Sequence, residues 1–189
     1  MPNKKDWSEY YDFTRGQEPR ELLIETLPYV KGIGKAIDIG GGALRDTKFL
    51  LQKGFDVTVL DISPLLIKEA AGIKSDHLHL IVSSFEDFQF PVEEYILASA
   101  MYSLPHCAPE HFARVITNIK ASLKKGGIFC GQMFGEYDQW SKTIQMTYLS
   151  AEKAKEYLND MEIITFREEE TIEGTTKHWH IFNFIVRKV

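Results

Sequence analysis

Apolar residues along this chain fall into two alternating rhythms. Short, mostly apolar runs at 36–39, 57–61, 78–82, 128–134, 161–166 and 180–186, and a further one opening at Tyr95, read as strands. Between several of them the apolar positions switch to helical spacing. Leu23, Leu27 and Val30 form one such stripe, with Pro19 expected in its first turn and Pro28 expected to end or kink it. Residues 43–53 read as a helix closed by Gly54, and Ser63-Pro64 opens a short one running to about Ala71. Phe112, Val115, Ile116, Ile119 and Leu123 keep a third stripe, closed by Lys124, Lys125 and Gly126. Ser150 caps a further helix with Ala151, Ala154 and Leu158 inside. The run at 78–82 is unbroken, which predicts a strand buried on both faces.

Strands alternating with helices predict an α/β, doubly wound, Rossmann-like sheet with helices on both faces. The last two strands are joined by a turn near Glu173-Gly174, too short for a crossover helix. The final strand should therefore enter antiparallel to an otherwise parallel sheet. Neither repeats nor a linker interrupt the chain, so one domain over 1–189 is expected, with 1–34 as an N-terminal lid and helix and 35–189 as the core. The lid expectation comes from Trp7, Tyr10, Tyr11 and Phe13, an aromatic density unusual for a loose tail.

Composition narrows the partners. With 189 residues the chain can bury a sizeable core. A net charge of -5, with Lys and Arg spread out, gives no general attraction to nucleic-acid backbones. Arg167-Glu168-Glu169-Glu170 reads as a solvated face. Two cysteines, Cys107 and Cys130, are too few for a disulfide framework and point to a reducing compartment. No apolar run is long enough for a signal peptide or a membrane span. The expectation is a cytoplasmic protein that binds neither nucleic acid nor membrane; the oligomeric state is open.

The chemistry concentrates at Ala36-Ile37-Asp38-Ile39-Gly40-Gly41-Gly42 and at Val57-Thr58-Val59-Leu60-Asp61. A strand, a glycine turn, a helix and a second strand ending in a carboxylate suit a ribose-bearing cofactor laid across the strand ends. Dinucleotide sites usually carry a third glycine, where Arg45 stands here. Asp38 is also a poor neighbour for a pyrophosphate. Both departures argue against NAD and for a cofactor without phosphate.

Asp38-Ile39-Gly40-Gly41-Gly42 resembles the first motif of class I S-adenosylmethionine (SAM)-dependent methyltransferases, and Asp61 falls where that superfamily keeps its ribose-binding acid. Ser83-Ser84-Phe85-Glu86-Asp87 resembles the adenine-side loop. The stretch from Tyr95 to His106 resembles the fourth strand and the segment lining the methionine end. Lys124-Lys125-Gly126-Gly127 resembles the punctuation before strand five, with lysine replacing proline. The resemblance spans roughly 15–189, and the compact layout looks most like small-molecule methyltransferases, including the tellurite-resistance type. It implies a SAM-dependent enzyme that methylates a small molecule and releases S-adenosylhomocysteine. It further implies Asp38, Gly40, Gly42, Asp61, Ile62, Ser84, Phe85, Glu86, Ser99 and Met101 as the cofactor-binding set. Within that set Gly40 and Gly42 let the backbone approach the aminoacyl portion, and Asp61 accepts the ribose hydroxyls. Asp38 faces the ammonium, Ser84 and Phe85 border the adenine, and Glu86 competes with Asp87 for its amino group. The segment 99–102 passes the sulfonium.

Tyr11 and Arg15 could cover the cofactor carboxylate or serve as surface anchors. If the acceptor carries a proton, Tyr102, His106, Tyr137, His178 and His180 are candidate bases. His178 and His180 share one strand face with Trp179 opposite, and two such ligands make no metal site. Residues 135–140, with Tyr137 and Trp140, could wall the acceptor. A non-catalytic SAM-binding module and an NAD-dependent oxidoreductase remain as alternatives.

Overall fold

The computed structural model describes residues 6–171 and 177–189. In chain order its elements are α1 (Ser8–Thr14), α2 (Glu21–Thr26), β1 (Lys35–Ile39), α3 (Arg45–Gln52), β2 (Asp56–Asp61), α4 (Leu65–Ala70) and β3 (Leu78–Val82). There follow β4 (Tyr95–Ala100), α5 (Pro109–Ser122), β5 (Leu123–Gly135), β6 (Tyr148–Leu149), α6 (Ala151–Glu156), β7 (Met161–Thr171) and β8 (Trp179–Lys188). The main sheet runs β3-β2-β1-β4-β5-β8-β7, and the two-residue β6 pairs with β5 off this path. All of these pairings are parallel except those of β8, which is antiparallel to both β5 and β7. The expected seven-stranded, mostly parallel sheet with an antiparallel last strand is the one observed.

Alternate side chains of the central strands supply two cores, as a pleat requires. Ile37, Ala98, Phe129 and Phe184 pack with Phe112, Val115 and Ile119 of α5 and Ala154 of α6. Their neighbours Ala36, Leu97, Ile128 and Ile185 pack on the other face with Leu23 of α2, Leu50 of α3 and Leu66 of α4. Helices thus cover both faces, and sheet twist and packing leave the strand ends free for a site.

Several local expectations shift. β3 is the outermost strand, so only one edge is paired and Val82 is 44% exposed; its apolar run marks an edge strand, not one buried on both faces. Pro19 lies outside α2, which starts at Glu21 with Arg20 as its cap, while Pro28 converts the end of that helix into a 3-10 turn over Leu27–Tyr29. α5 stops at Ser122 and passes directly into β5, so Lys124 to Gly127 belong to the strand rather than closing the helix. Ser150 does cap α6, its Oγ accepting from the Lys153 amide at 3.2 Å. The turn expected near Glu173-Gly174 lies outside the described residues. Among the described residues no helix is long and apolar enough to cross a membrane.

Candidate functional site

Parallel α/β sheets expose their cavities at the carboxyl ends of their strands, where strand order reverses. Here β1 has β2 on one side and β4 on the other, so the chain reverses direction between them. A cleft of about 1110 Å³ opens there. One half lies over β2, β1 and β4, and the other over β5, β8 and β7. The antiparallel β8 contributes the start of its strand to this rim.

The glycine turn forms the floor of the first half. Gly40 and Gly42 have φ of +75° and +53°, a region L side chains rarely adopt. At Gly40 a Cβ would also overlap the Ser103 side chain, whose hydroxyl donates to the Ile39 carbonyl at 2.5 Å. Close packing of the segment after β4 therefore demands glycine at this position. Gly42 has no atom closer than 3.9 Å to an added Cβ. The loop is tied to the second strand: Asp61 accepts from the Gly42 amide (2.9 Å) and the Ser63 amide (2.8 Å). Beside Asp61 and Ser63 stands the buried Tyr11 phenol. Burial first, and then the Asp61 charge, hold its proton well above the ordinary phenol range.

Gly40, Gly42, Asp61 and Ile62 all line the cleft, as do Ser84, Phe85, Glu86 and Met101. Glu86, whose carboxylate accepts from the Ala108 amide at 3.3 Å, reaches the cleft, while Asp87 is engaged by the Ser84 hydroxyl at 2.8 Å. Two members of the expected set lie elsewhere. Asp38 is buried beneath the turn and accepts from the Thr47 hydroxyl at 2.6 Å. Burial, and then the nearby Asp46 carboxylate, push its pKa up to about 7. Ser99 is wholly buried, beside Cys130 of β5. Both share the pleat side of Ala36 and Leu97, which faces the α2–α4 layer.

The N-terminal segment closes this half, though not through Arg15. Arg15 pairs on the surface with Glu69 (2.5 Å) and Asp12 (2.8 Å). Arg20 reaches the cleft instead, its guanidinium bonded to Asp46 (2.7 Å) and the Tyr10 hydroxyl (2.7 Å) and lying 5.3 Å from the Tyr102 ring centre. Arg45, at the third glycine position, also lines the cleft and donates to Gln17 (2.7 Å) and the Glu18 carbonyl. Burial and the Arg20 charge lower its pKa. Nothing in the sequence pattern marked Arg20, because its partner Asp46 lies 26 positions away.

The second half is aromatic. Tyr102, Phe134, Trp140 and Trp179 line it with Met146 and Ile181, and Glu169 and Thr171 supply polar groups. Tyr102 holds a left-handed backbone (φ +58°), and its amide donates to Gln132, which in turn bonds Asn183 at 3.0 Å. Such strain persists only where neighbours over-determine it. Of the candidate bases, Tyr102 and His106 line the cleft. His178, His180 and Tyr137 do not: His180 bonds Glu168 at 2.9 Å and is stacked by Tyr137, and His178 bonds Glu170 at 2.8 Å. The acidic run at 167–170 is thus a row of partnered side chains with Glu169 alternating to the cleft side. Of residues 135–140 it is Trp140 that walls the cleft. Among the described residues no group of three or more potential ligands stands together to hold a metal ion.

A doubly wound sheet with this reversal, a glycine turn and a carboxylate at the end of β2 is an arrangement suited to a nucleoside-bearing ligand. Residues 36–127, just under half of the chain, match the family described as a methyltransferase domain. A Burkholderia thailandensis 1,6-didemethyltoxoflavin-N1-methyltransferase, solved with that compound and S-adenosylhomocysteine, has a similar fold. It matches at TM-score 0.75 and 17% identity, over 96% of this chain and 84% of its own. TehB from Haemophilus influenzae matches at TM-score 0.76 and 17% identity, over 97% of this chain and 66% of its own. A SAM-dependent methyltransferase from Methanosarcina mazei matches at TM-score 0.70 and 18% identity, over 92% and 99%. No curated protein sequence matches the chain. Over residues 36–127 the chain is thus similar to a methyltransferase domain, and its fold is the one these SAM-dependent methyltransferases share. The residues present fit the SAM of those relatives: the first half offers a carboxylate, a buried phenol beside it and a glycine turn open at Gly42.

Proposed function

We propose that this chain is a single methyltransferase domain that moves the methyl group of SAM onto a small molecule. The observation that carries this reading is the two-part cleft, polar and glycine-floored over β2, β1 and β4, aromatic over β5, β8 and β7. The small-molecule methyltransferase from Burkholderia supports it, as does a net charge of -5 that offers no footing for a phosphate backbone.

Asp61 accepts hydrogen bonds from the ribose hydroxyls, with the Tyr11 hydroxyl completing the set. Ile62, Ser84, Phe85 and Glu86 border the adenine, and Met101 with the turn at Gly40 and Gly42 flanks the aminoacyl portion. Arg20 and Arg45 complement its carboxylate. Asp38 acts from below, fixing the helix start through Thr47, and Ser99 belongs to the core beneath. When bound, SAM supplies a methyl group on a sulfonium, an excellent leaving group. The protein's part is then to align the acceptor and exclude water. The α1 segment, with Trp7, Tyr10 and Tyr11 over the cleft, does the excluding.

Tritiated methyl SAM incubated with the protein and a fractionated small-molecule extract tests the proposal. Label should move to a low-mass product. Label that stays on the cofactor, or moves only to macromolecules, contradicts it.

A further inference from the structure

The acceptor half has a composition that selects among small molecules. Its wall is a continuous ring cluster, with Trp140 and Trp179 5.2 Å apart between centres, Phe134 5.8 Å from Trp179, and Tyr102 6.4 Å from Phe134. Between two of these rings, and not part of the cleft lining, sits Lys177. Its ammonium lies 3.0 Å from the Trp179 ring centre, 3.4 Å from that of Trp140 and 5.2 Å from that of Phe134, and Asp138 holds it at 3.1 Å. On the other flank Arg20 stands 5.3 Å from the Tyr102 ring centre. The attraction of a cation for a ring comes from the negative π face. A cation already held by these rings withdraws that density and repels a second one, so their remaining surface is a poor site for another cation. The same polarisation favours an electron-rich flat ring stacked on the cleft side.

One carboxylate enters this aromatic half from the β7 edge. In the β7–β8 ladder, Glu168 and Glu170 are engaged by His180 and His178 on one face. Glu169 and Thr171 alternate to the cleft face. The Arg167 Nε is 3.8 Å from Glu169, beyond hydrogen-bond reach. The Glu169 carboxylate, more than half exposed at the cleft rim, is free to accept from an N–H donor of a bound ligand.

We propose that the acceptor is a flat aromatic heterocycle, neutral or anionic, carrying an ionisable ring N–H, stacked on the Trp140–Trp179 wall with that N–H directed to Glu169. This rests on the methyltransferase reading above. The ring nitrogen forms its bond to the methyl carbon as the carbon–sulfur bond breaks. S-adenosylhomocysteine leaves as a neutral thioether, and the ring proton passes to the Glu169 carboxylate. A cationic amine is disfavoured by Lys177 among the wall rings and by Arg20 in the cleft itself, and an aliphatic thiol would leave the ring wall without a partner.

The test uses the whole chain with S-adenosylhomocysteine bound, its binding checked first by calorimetry. Purines and pteridines with ring N–H groups form one panel, and dimethylethanolamine and 2-mercaptoethanol the other. Ring compounds should quench tryptophan fluorescence saturably, and a Trp179→Leu variant should lose at least tenfold in that affinity while S-adenosylhomocysteine binding is unchanged. In methyl-transfer assays, Glu169→Gln should lower kcat at least about 100-fold for a weakly acidic ring. The loss should shrink to less than tenfold for a ring already ionised at the assay pH. Saturable binding of the amine or thiol, no binding of any ring compound, or an equal Glu169→Gln loss at every ring acidity overturns the proposal. Absence of S-adenosylhomocysteine binding at the outset overturns the methyltransferase reading itself.

Discussion

Asp38 shows how a side chain can sit in a motif and yet act from below it. Its carboxyl is buried and bonded to Thr47, with Asp46 close by. In the unfolded chain it ionises near the ordinary carboxylate value, whereas in the folded protein it holds its proton up to about pH 7. Between those values the unfolded state binds fewer protons than the native one, so this group makes stability fall as pH rises. Asp38→Asn removes that titration. Urea unfolding of both proteins at a series of pH values should show the variant gaining on the parent between about pH 4 and pH 7 and holding the difference above. A parent that gains on the variant over this window contradicts the buried-acid assignment. The glycines tell a similar story, for Gly40 is required by Ser103 and by its own φ.

At the scale of elements, a largely buried ion pair helps fasten the N-terminal helices to the core. Arg20 presents both its amide (2.8 Å) and its guanidinium (2.7 Å) to Asp46 of α3, and both side chains are largely buried. Breaking a buried pair from one side costs about 3–5 kcal/mol. Asp46→Ala should therefore lower unfolding stability by about 3 kcal/mol and open the 15–20 segment to limited proteolysis. An unchanged urea midpoint and digestion pattern would remove the clamp from this account. Most elements were legible from their apolar rhythm, because β4, β5 and β8 and the α5 stripe bury residues at strand or helix spacing. Sequence position in the sheet was not legible, and hence the run at 78–82 looked interior although β3 lies at the edge. The cofactor half was readable because its residues follow strand ends within a few positions of each other. The acceptor half was not, since Glu169 and Trp179 meet Trp140 only through β5–β8–β7 pairing.

Across the whole molecule, one carboxyl edge carries both halves of the reaction. The glycine turn and Asp61 stand over the first strands, the ring wall stands over the last, and Tyr102 joins them at β4. The strained Tyr102 backbone, held through Gln132 and Asn183, couples the joint to β5 and β8. The proposed function depends first on the ribose contact assigned to Asp61 at the end of β2, and charge-assisted hydrogen bonds of that kind contribute roughly 1.5–3 kcal/mol each. Titration calorimetry of S-adenosylhomocysteine into the parent protein and into Asp61→Asn measures it, with circular dichroism confirming that both are folded. The account predicts saturable binding to the parent and an affinity at least about tenfold weaker in the variant. Equal affinities, or a folded parent that binds nothing, would contradict it.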